Sequence, residues 1–161
     1  MSSVPDCNIV EVMPDERSSE LIRRLLAVWE GSARATHAFL SEDDISEIRE
    51  YVPGALRQVE RLFIAQDDVG CPLAFMEVEA DRLEMLFVEA DMRSVGLGGR
   101  LLKIGVGDLG VRELTVNEQN PQSVGFYEHF GFEMYRRTDT DEQGRPFPLL
   151  YMRLANSTGK G

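Results

Sequence analysis

A chain of 161 residues, 43% hydrophobic and 28% charged, has the composition of one soluble globular domain with a single substantial core. No run approaches the ~20 apolar residues of a membrane span. The first ten residues lack the basic flank and apolar segment of a secretion signal, and 28 acidic against 17 basic side chains argue against a nucleic-acid partner. Cys7 and Cys71 lack metal-ligand spacing, so free thiols in a reducing cytoplasm and no metal site are expected.

In chain order, Asn8 to Val12 reads as a strand. Asp15 is placed to cap a helix running to about Ser32, with Leu21, Ile22, Leu25, Leu26, Val28 and Trp29 on its apolar side. Ser41 and Asp44 have capping-box spacing for a second helix with a stripe of Ile45, Ile48 and Val52, which Pro53-Gly54 should end or kink. Strands follow at Leu62–Gln66, Leu73–Glu79 and Leu83–Val88, the last two joined tightly at Ala80-Asp81. A helix from Gly98 to about Leu109 contains Gly105 and Gly107, a pattern that predicts close packing against a sheet. Glu113–Asn117 reads as a strand, and Asn120 caps a helix with Pro121 at its first position and Gly131 at its end. Phe132–Arg137 and Pro148–Leu154 are the last strands, linked by a polar loop from Asp139 to Pro146. The order predicts a mixed α/β domain.

The segment between Leu83 and Arg100 carries the strongest signal. A strand runs into Arg93-Ser94-Val95-Gly96-Leu97-Gly98-Gly99-Arg100, which opens a helix. Helix N-termini present unpaired N–H groups and positive dipole charge, and glycines let an anion approach the backbone. Between Arg93 and Gly107 the charged residues are Arg93, Arg100 and Lys103, without an acid, in a chain of net charge −11. A polyanion site is the implication. The loop is neither a P-loop nor a three-glycine dinucleotide loop.

What fits is R-x-x-G-x-G, Arg93 to Gly98, which resembles the pyrophosphate-binding motif of the GCN5-related N-acetyltransferases, the GNAT family. Downstream, Asn120, Ser123, Phe126, Tyr127, Gly131 and Phe132 match the family pattern N-x-x-[AS]-x-x-[LF]-Y-x-x-x-G-F. The chain is also similar to a small bacterial subgroup with A-T-H-x-F-L, here Ala35 to Leu40, and V-N-E-Q-N, here Val116 to Asn120. The resemblance spans roughly Ile9 to Leu154. The expected organisation is one domain over residues 8–154 and a disordered tail over 155–161.

The resemblance implies a GNAT fold: a mostly antiparallel sheet whose two central strands splay apart, with coenzyme A in the gap. It implies acetyl transfer from acetyl-CoA to a primary amine by direct attack, the acceptor being a protein lysine or a small amine. A monomer or homodimer is compatible with this. Cofactor contacts are implied at the Phe87-Val88 backbone, along the loop from Arg93 to Arg100, and at Asn120, Ser123 and Tyr127. A different class of protein, a catalytically idle acyl-CoA sensor, would bind coenzyme A without turnover.

Acetyl transfer needs a held carbonyl, a deprotonated amine and a stabilised leaving thiolate. Tyr127, with an ordinary pKa of about 10, is protonated at neutral pH and matches the family's general acid; an apolar-face packing role beside Phe126, Phe130 and Phe132 is the alternative. Asn120 can cap its helix through oxygen while its NH2 reaches the cofactor. Glu84, on the strand before the loop, and His37, whose ordinary pKa lies near neutrality, both qualify as the base. Thr36, His37 and Phe39 fall where the family forms its acceptor wall. Trp29 and Met85 read as core, and His129 as exposed.

Overall fold

The structure, a computed structural model, describes residues 7–155 apart from the side chains of residues 93–95. Seven strands form one sheet: β1 (Asn8–Glu11), β2 (Arg61–Gln66), β3 (Pro72–Glu79), β4 (Arg82–Val88), β5 (Glu113–Asn117), β6 (Phe132–Thr138) and β7 (Leu149–Leu154), in the order β1-β2-β3-β4-β5-β7-β6. Every neighbouring pair is antiparallel except β4 and β5. Helices α1 (Ser19–Thr36), α2 (Glu42–Arg49) and α3 (Val52–Gln58) precede β2; α4 (Leu97–Gly107) and α5 (Pro121–His129) follow β4 and β5.

The strands β2 and β3 are buried on both faces. On one side α1 presents Ile22, Leu25, Val28, Trp29 and Ala33 to Leu62, Ile64 and Phe75, the three-to-four spacing of an amphipathic helix. On the other, Leu97, Leu101 and Leu102 of α4 and Tyr127 of α5 pack on Met76, Leu114 and Met152.

Several boundaries differ from the sequence reading. The first helix starts after Ser18, whose side chain accepts from the Leu21 amide, and runs to Thr36. Asp15 lies instead in a short 3-10 turn over Pro14–Glu16. The chain is turned there by Arg17, which is buried and donates to the carbonyls of Val12 (3.2 Å), Leu56 (3.2 Å), Arg57 (3.1 Å) and Val59 (2.7 Å). Pro53 does not stop a helix. It sits in the first turn of α3, where a missing N–H costs nothing, and α2 has already ended at Arg49. Gly105 packs as expected: an added Cβ would lie 3.3 Å from Met76 Sδ and 3.4 Å from Val111 Cγ2. Gly107 does not, since nothing lies within 4 Å of such an atom. Gly131, at φ +100°, ends α5. Ala155 is still held, its amide donating to Gly131 O at 2.8 Å; the rest of the expected tail lies outside the described residues.

Candidate active site

The site begins with one extra residue. Across β3 and β4, Glu77 faces Met85 and Val78 faces Leu83, so Glu84 has no partner opposite. Such a bulge bends a strand and re-aims side chains. Its effect is visible on the other edge of β4. The parallel pairing with β5 covers only Arg82 with Glu113 and Leu83 with Leu114, and then the strands part. The splay that the family resemblance implied therefore opens at Glu84.

Two cavities occupy the gap. The first, about 230 Å³, is lined by Gly96, Gly98 and Gly99 at the start of α4, by Val88, and by Thr36 and Ser32 of α1. The second, about 280 Å³, lies between α1, Phe39, Glu84 and the loop carrying Asp141, Glu142 and Arg145. They share His37, Leu86, Phe87, Ser123 and Tyr127. A donor and an acceptor lying one in each would meet at these five residues.

The first cavity suits a pyrophosphate on a linear arm. Gly96 adopts φ +85°, a turn that glycine enters without strain. The first helical bond of α4 runs from the Arg100 amide to Gly96 O at 3.1 Å, and among the described residues no side chain caps the helix. The amides of Leu97, Gly98 and Gly99 thus have no partner within the helix and stand ready for an anion. A side chain on Gly99 would begin 3.4 Å from the Phe130 ring, so bulk there would press on α5. Of the other loop residues, Leu97 is fully buried in the core, and Arg100 is exposed, with a long 3.5 Å bond to Cys7 O. The side chains of Arg93, Ser94 and Val95 lie outside the described residues.

Tyr127 projects from α5 to the meeting point. It is 8% exposed, and burial alone pushes its hydroxyl well above the ordinary phenol value, so it carries its proton at neutral pH. Its ring packs against Phe126 (5.2 Å) and Phe132 (6.2 Å), and the residue lines both cavities. Asn120 is buried, and its Oδ1 accepts from the Ser123 amide at 3.3 Å as the cap of α5. It faces the second cavity, and Ser123 faces both.

The two base candidates are shifted in opposite directions. Burial raises the Glu84 carboxyl above its ordinary value; Arg82, 3.5 Å away, partly opposes this. Burial lowers His37 to about 4. His37 ends α1, with Phe39 at 5.3 Å and Phe87 at 6.3 Å between ring centroids. Its Nδ1 lies 2.7 Å from Thr36 Oγ1, which also donates to Ser32 O at 2.8 Å. Phe39 lines the second cavity, and Thr36 the first.

Sequence reasoning missed a strap. Asp141 folds its own turn, accepting from the amides of Gln143 (2.9 Å) and Arg145 (2.8 Å). Arg145 then pairs with Asp141 (3.2 Å) and with Glu47 of α2 (3.0 Å) over the Tyr51 ring, and Phe147 packs at a tilt against Phe39, 5.7 Å between ring centroids. Glu142 takes bonds from Arg82 (3.0 Å) and Tyr151 (3.1 Å). The polar loop from Asp139 to Pro146 was legible; its partners, up to 98 residues away, were not. Trp29 and Met85 also line the second cavity as well as packing in the core. His129 is exposed, as expected. Among the described residues no cluster of His, Cys, Asp or Glu is arranged to hold a metal, and no helix is long and apolar enough to cross a membrane.

A splayed sheet, a glycine-rich helix start below the gap and a tyrosine at the meeting point are compatible with an acyl-CoA-dependent transferase. Residues 30–154 match the acetyltransferase (GNAT) domain model, and the chain belongs to the GNAT family. It is 36% identical over 127 residues to the peptidyl-lysine N-acetyltransferase YjaB of Salmonella typhimurium, covering 79% of this chain and 87% of that one. The Escherichia coli YjaB is 35% identical over 126 residues, 78% and 85% of the two chains. The solution structure of apo YjaB from Escherichia coli superposes with a TM-score of 0.81 at 31% identity, over 93% of this chain and 98% of that one. The protein is an acetyl-CoA-dependent N-acetyltransferase.

Proposed function

We propose that the acceptor is a lysine side chain of a polypeptide, and that the two cavities hold donor and acceptor on either side of Tyr127. The observation that carries this reading is their shared boundary at His37, Phe87 and Tyr127. The second cavity has aromatic walls for a methylene chain, from Trp29, Phe39 and Phe147, and carboxylates for an ammonium group, from Glu84, Asp141 and Glu142. The acceptor named for both YjaB relatives, a peptidyl lysine, has that chemistry. The residues of the first cavity fit acetyl-CoA: free amides at Gly98 and Gly99 for the pyrophosphate, and the Phe87-Val88 edge, unpaired where the strands part, for the pantetheine arm. Acetyl-CoA supplies the thioester carbonyl.

The pKa shifts favour Glu84 over His37 as the base. A base works best when its pKa lies near the working pH, so Glu84, raised from the carboxylate range, serves better than His37 at about 4. Glu84 takes a proton from the lysine ammonium, directly or through water. Tyr127 gives its phenolic proton to the sulfur as the nitrogen–carbon bond forms and the carbon–sulfur bond breaks. The second proton shed by nitrogen as the amide forms passes to solvent, from which Tyr127 is reprotonated. Two free thiols fit a cytoplasmic setting, with the chain a monomer or homodimer.

The test is a competition. Lysine-containing peptides and small amines are supplied together with acetyl-CoA, and products are identified by mass spectrometry. Acetylation at lysine Nζ of the peptides supports the reading. Turnover of small amines alone would overturn it, and coenzyme A binding without turnover of any amine would favour the idle sensor.

A further inference from the structure

The Thr36–His37 contact determines where the imidazole proton sits. Thr36 Oγ1 and Ser32 O are 2.8 Å apart, a distance at which two oxygens need a proton between them. The carbonyl has none, so the single hydroxyl proton of Thr36 lies there, in the i−4 back-bond common to threonines in helices. Thr36 Oγ1 and His37 Nδ1 are 2.7 Å apart and need a proton too. Only the imidazole can supply it. His37 therefore carries hydrogen on Nδ1. Burial keeps the ring neutral at neutral pH, with no charged partner contributing, so Nε2 bears a lone pair. Among the described residues nothing donates to Nε2, and the ring lines both cavities where they meet.

We propose that Thr36 is a positioning residue that locks His37 as the Nδ1–H tautomer, so that its bare Nε2 accepts a hydrogen bond from the acceptor amine and turns the amine's lone pair towards the donor carbonyl. This deepens the reading of the second cavity as the acceptor site and rests on it. The division of labour follows from the chemistry. A primary amine freed of its third proton has two N–H bonds and one lone pair. An acceptor atom that binds one N–H without removing it limits how the lone pair can point, which is orientation rather than base catalysis. The opposite tautomer would place an N–H donor at the same spot. It would compete for the amine lone pair and hold the nucleophile in an unproductive pose. The hydroxyl of Thr36 selects between the two, as a partner on one ring nitrogen generally does for the other.

The inference is tested first without any acceptor. In nitrogen-15 spectra of the wild-type protein at pH 7, the His37 ring should show a protonated Nδ1 and a bare Nε2. An Nε2–H form, or a cationic ring, overturns the proposal. Thr36→Val keeps the branched shape and removes the hydroxyl. It should lose the single tautomer and lower kcat at saturating acceptor by about tenfold to a hundredfold, the scale of one hydrogen bond to a reacting group. Thr36→Ser retains the hydroxyl and should restore both tautomer and kcat. A Val variant with unaltered kcat overturns the proposal, as does one that keeps the pure Nδ1–H form. Because the wild-type spectrum needs no acceptor, a mistaken acceptor class would show separately, as lysine peptides that are not acetylated by a protein whose His37 has the stated tautomer.

Discussion

The two halves of the cleft are built from different materials. The proposed donor side is made largely of backbone: the amides at the start of α4 that have no partner within the helix, the edge of β4 beyond its pairing with β5, and glycines at 96, 98 and 99. The acceptor side is made of side chains held by other side chains: Arg145 between Glu47 and Asp141, Glu142 between Arg82 and Tyr151, and Phe147 on Phe39. A backbone cradle changes little when surrounding residues change, which suits a donor whose pyrophosphate never varies. A side-chain cradle is rewritten by single substitutions, which suits an acceptor site that must be particular.

The sharpest way to probe this division is at one of the residues both halves share, Tyr127. Tyr127→Phe keeps the ring packing and removes the proton donor. The turnover number should fall by about 10²–10⁴-fold where chemistry limits the rate, while calorimetry shows coenzyme A binding intact. Full activity in this variant would remove Tyr127 from the mechanism.

Next in size is an effect on stability behind the acceptor wall. Glu77 is 2% exposed, its Oε2 has no hydrogen-bond partner, and burial, with help from Glu84 and Glu79 and against Arg17, raises its pKa to about 8. The folded chain thus holds one more proton than the unfolded chain between the ordinary 4.5 and about 8. Stability from this group is full below 4.5 and is lost as pH rises to 8. Glu77→Gln should flatten that slope and stabilise the fold at pH 7 by up to about 3 kcal/mol, at about 1.4 kcal/mol per pKa unit. Denaturant titrations at pH 5 and pH 8 measure it; equal slopes for both proteins would mean that Glu77 is solvated or paired in solution.

On the donor side, Gly98→Val should weaken coenzyme A binding by about tenfold or more, since a new Cβ starts 3.6 Å from both Phe126 and Val88 and the added methyls compete with the ligand for the cavity. The acceptor KM should move little. The smallest change is expected at the strap. Arg145→Ala releases α2 from the loop, and the acceptor KM should rise about fivefold, in line with the modest worth of partly exposed ion pairs, with the coenzyme A constant unmoved. If Gly98→Val altered the acceptor KM alone, or Arg145→Ala the coenzyme A constant alone, the division between the halves would be misdrawn.

The donor side was the more legible in sequence because its parts are local. Arg93 to Arg100 is contiguous, and Asn120 caps the helix that carries Tyr127 only seven positions on. Strong periodicity also placed β5 from Glu113 to Asn117 and the Ser41–Asp44 capping box at once. Pro53 misled because its residue type marks a helix end and a helix start alike, and only packing of Val52 and Leu56 shows which. Asp15 misled because a good capping residue preceded Arg17, whose inward turn depends on carbonyls some forty residues away. The bulge at Glu84 is a property of register between two strands, invisible in either alone. The Thr36–His37 contact joins adjacent residues, yet its meaning depends on Ser32 O and on burial.

The parting of β4 from β5 has a mechanical consequence. The sheet is in effect two plates, β1 to β4 and β5 with β7 and β6, fastened along their shared edge by two residue pairs at one end. A fastening that short permits the plates to breathe, and amide hydrogen exchange along β4 beyond Leu83 and along β5 beyond Leu114 should be faster than within either plate. A donor arm laid along the open edge would act as a missing strand. Its binding would slow exchange on both plates together and raise the melting temperature with ligand concentration, so that the substrate completes the sheet it is read by.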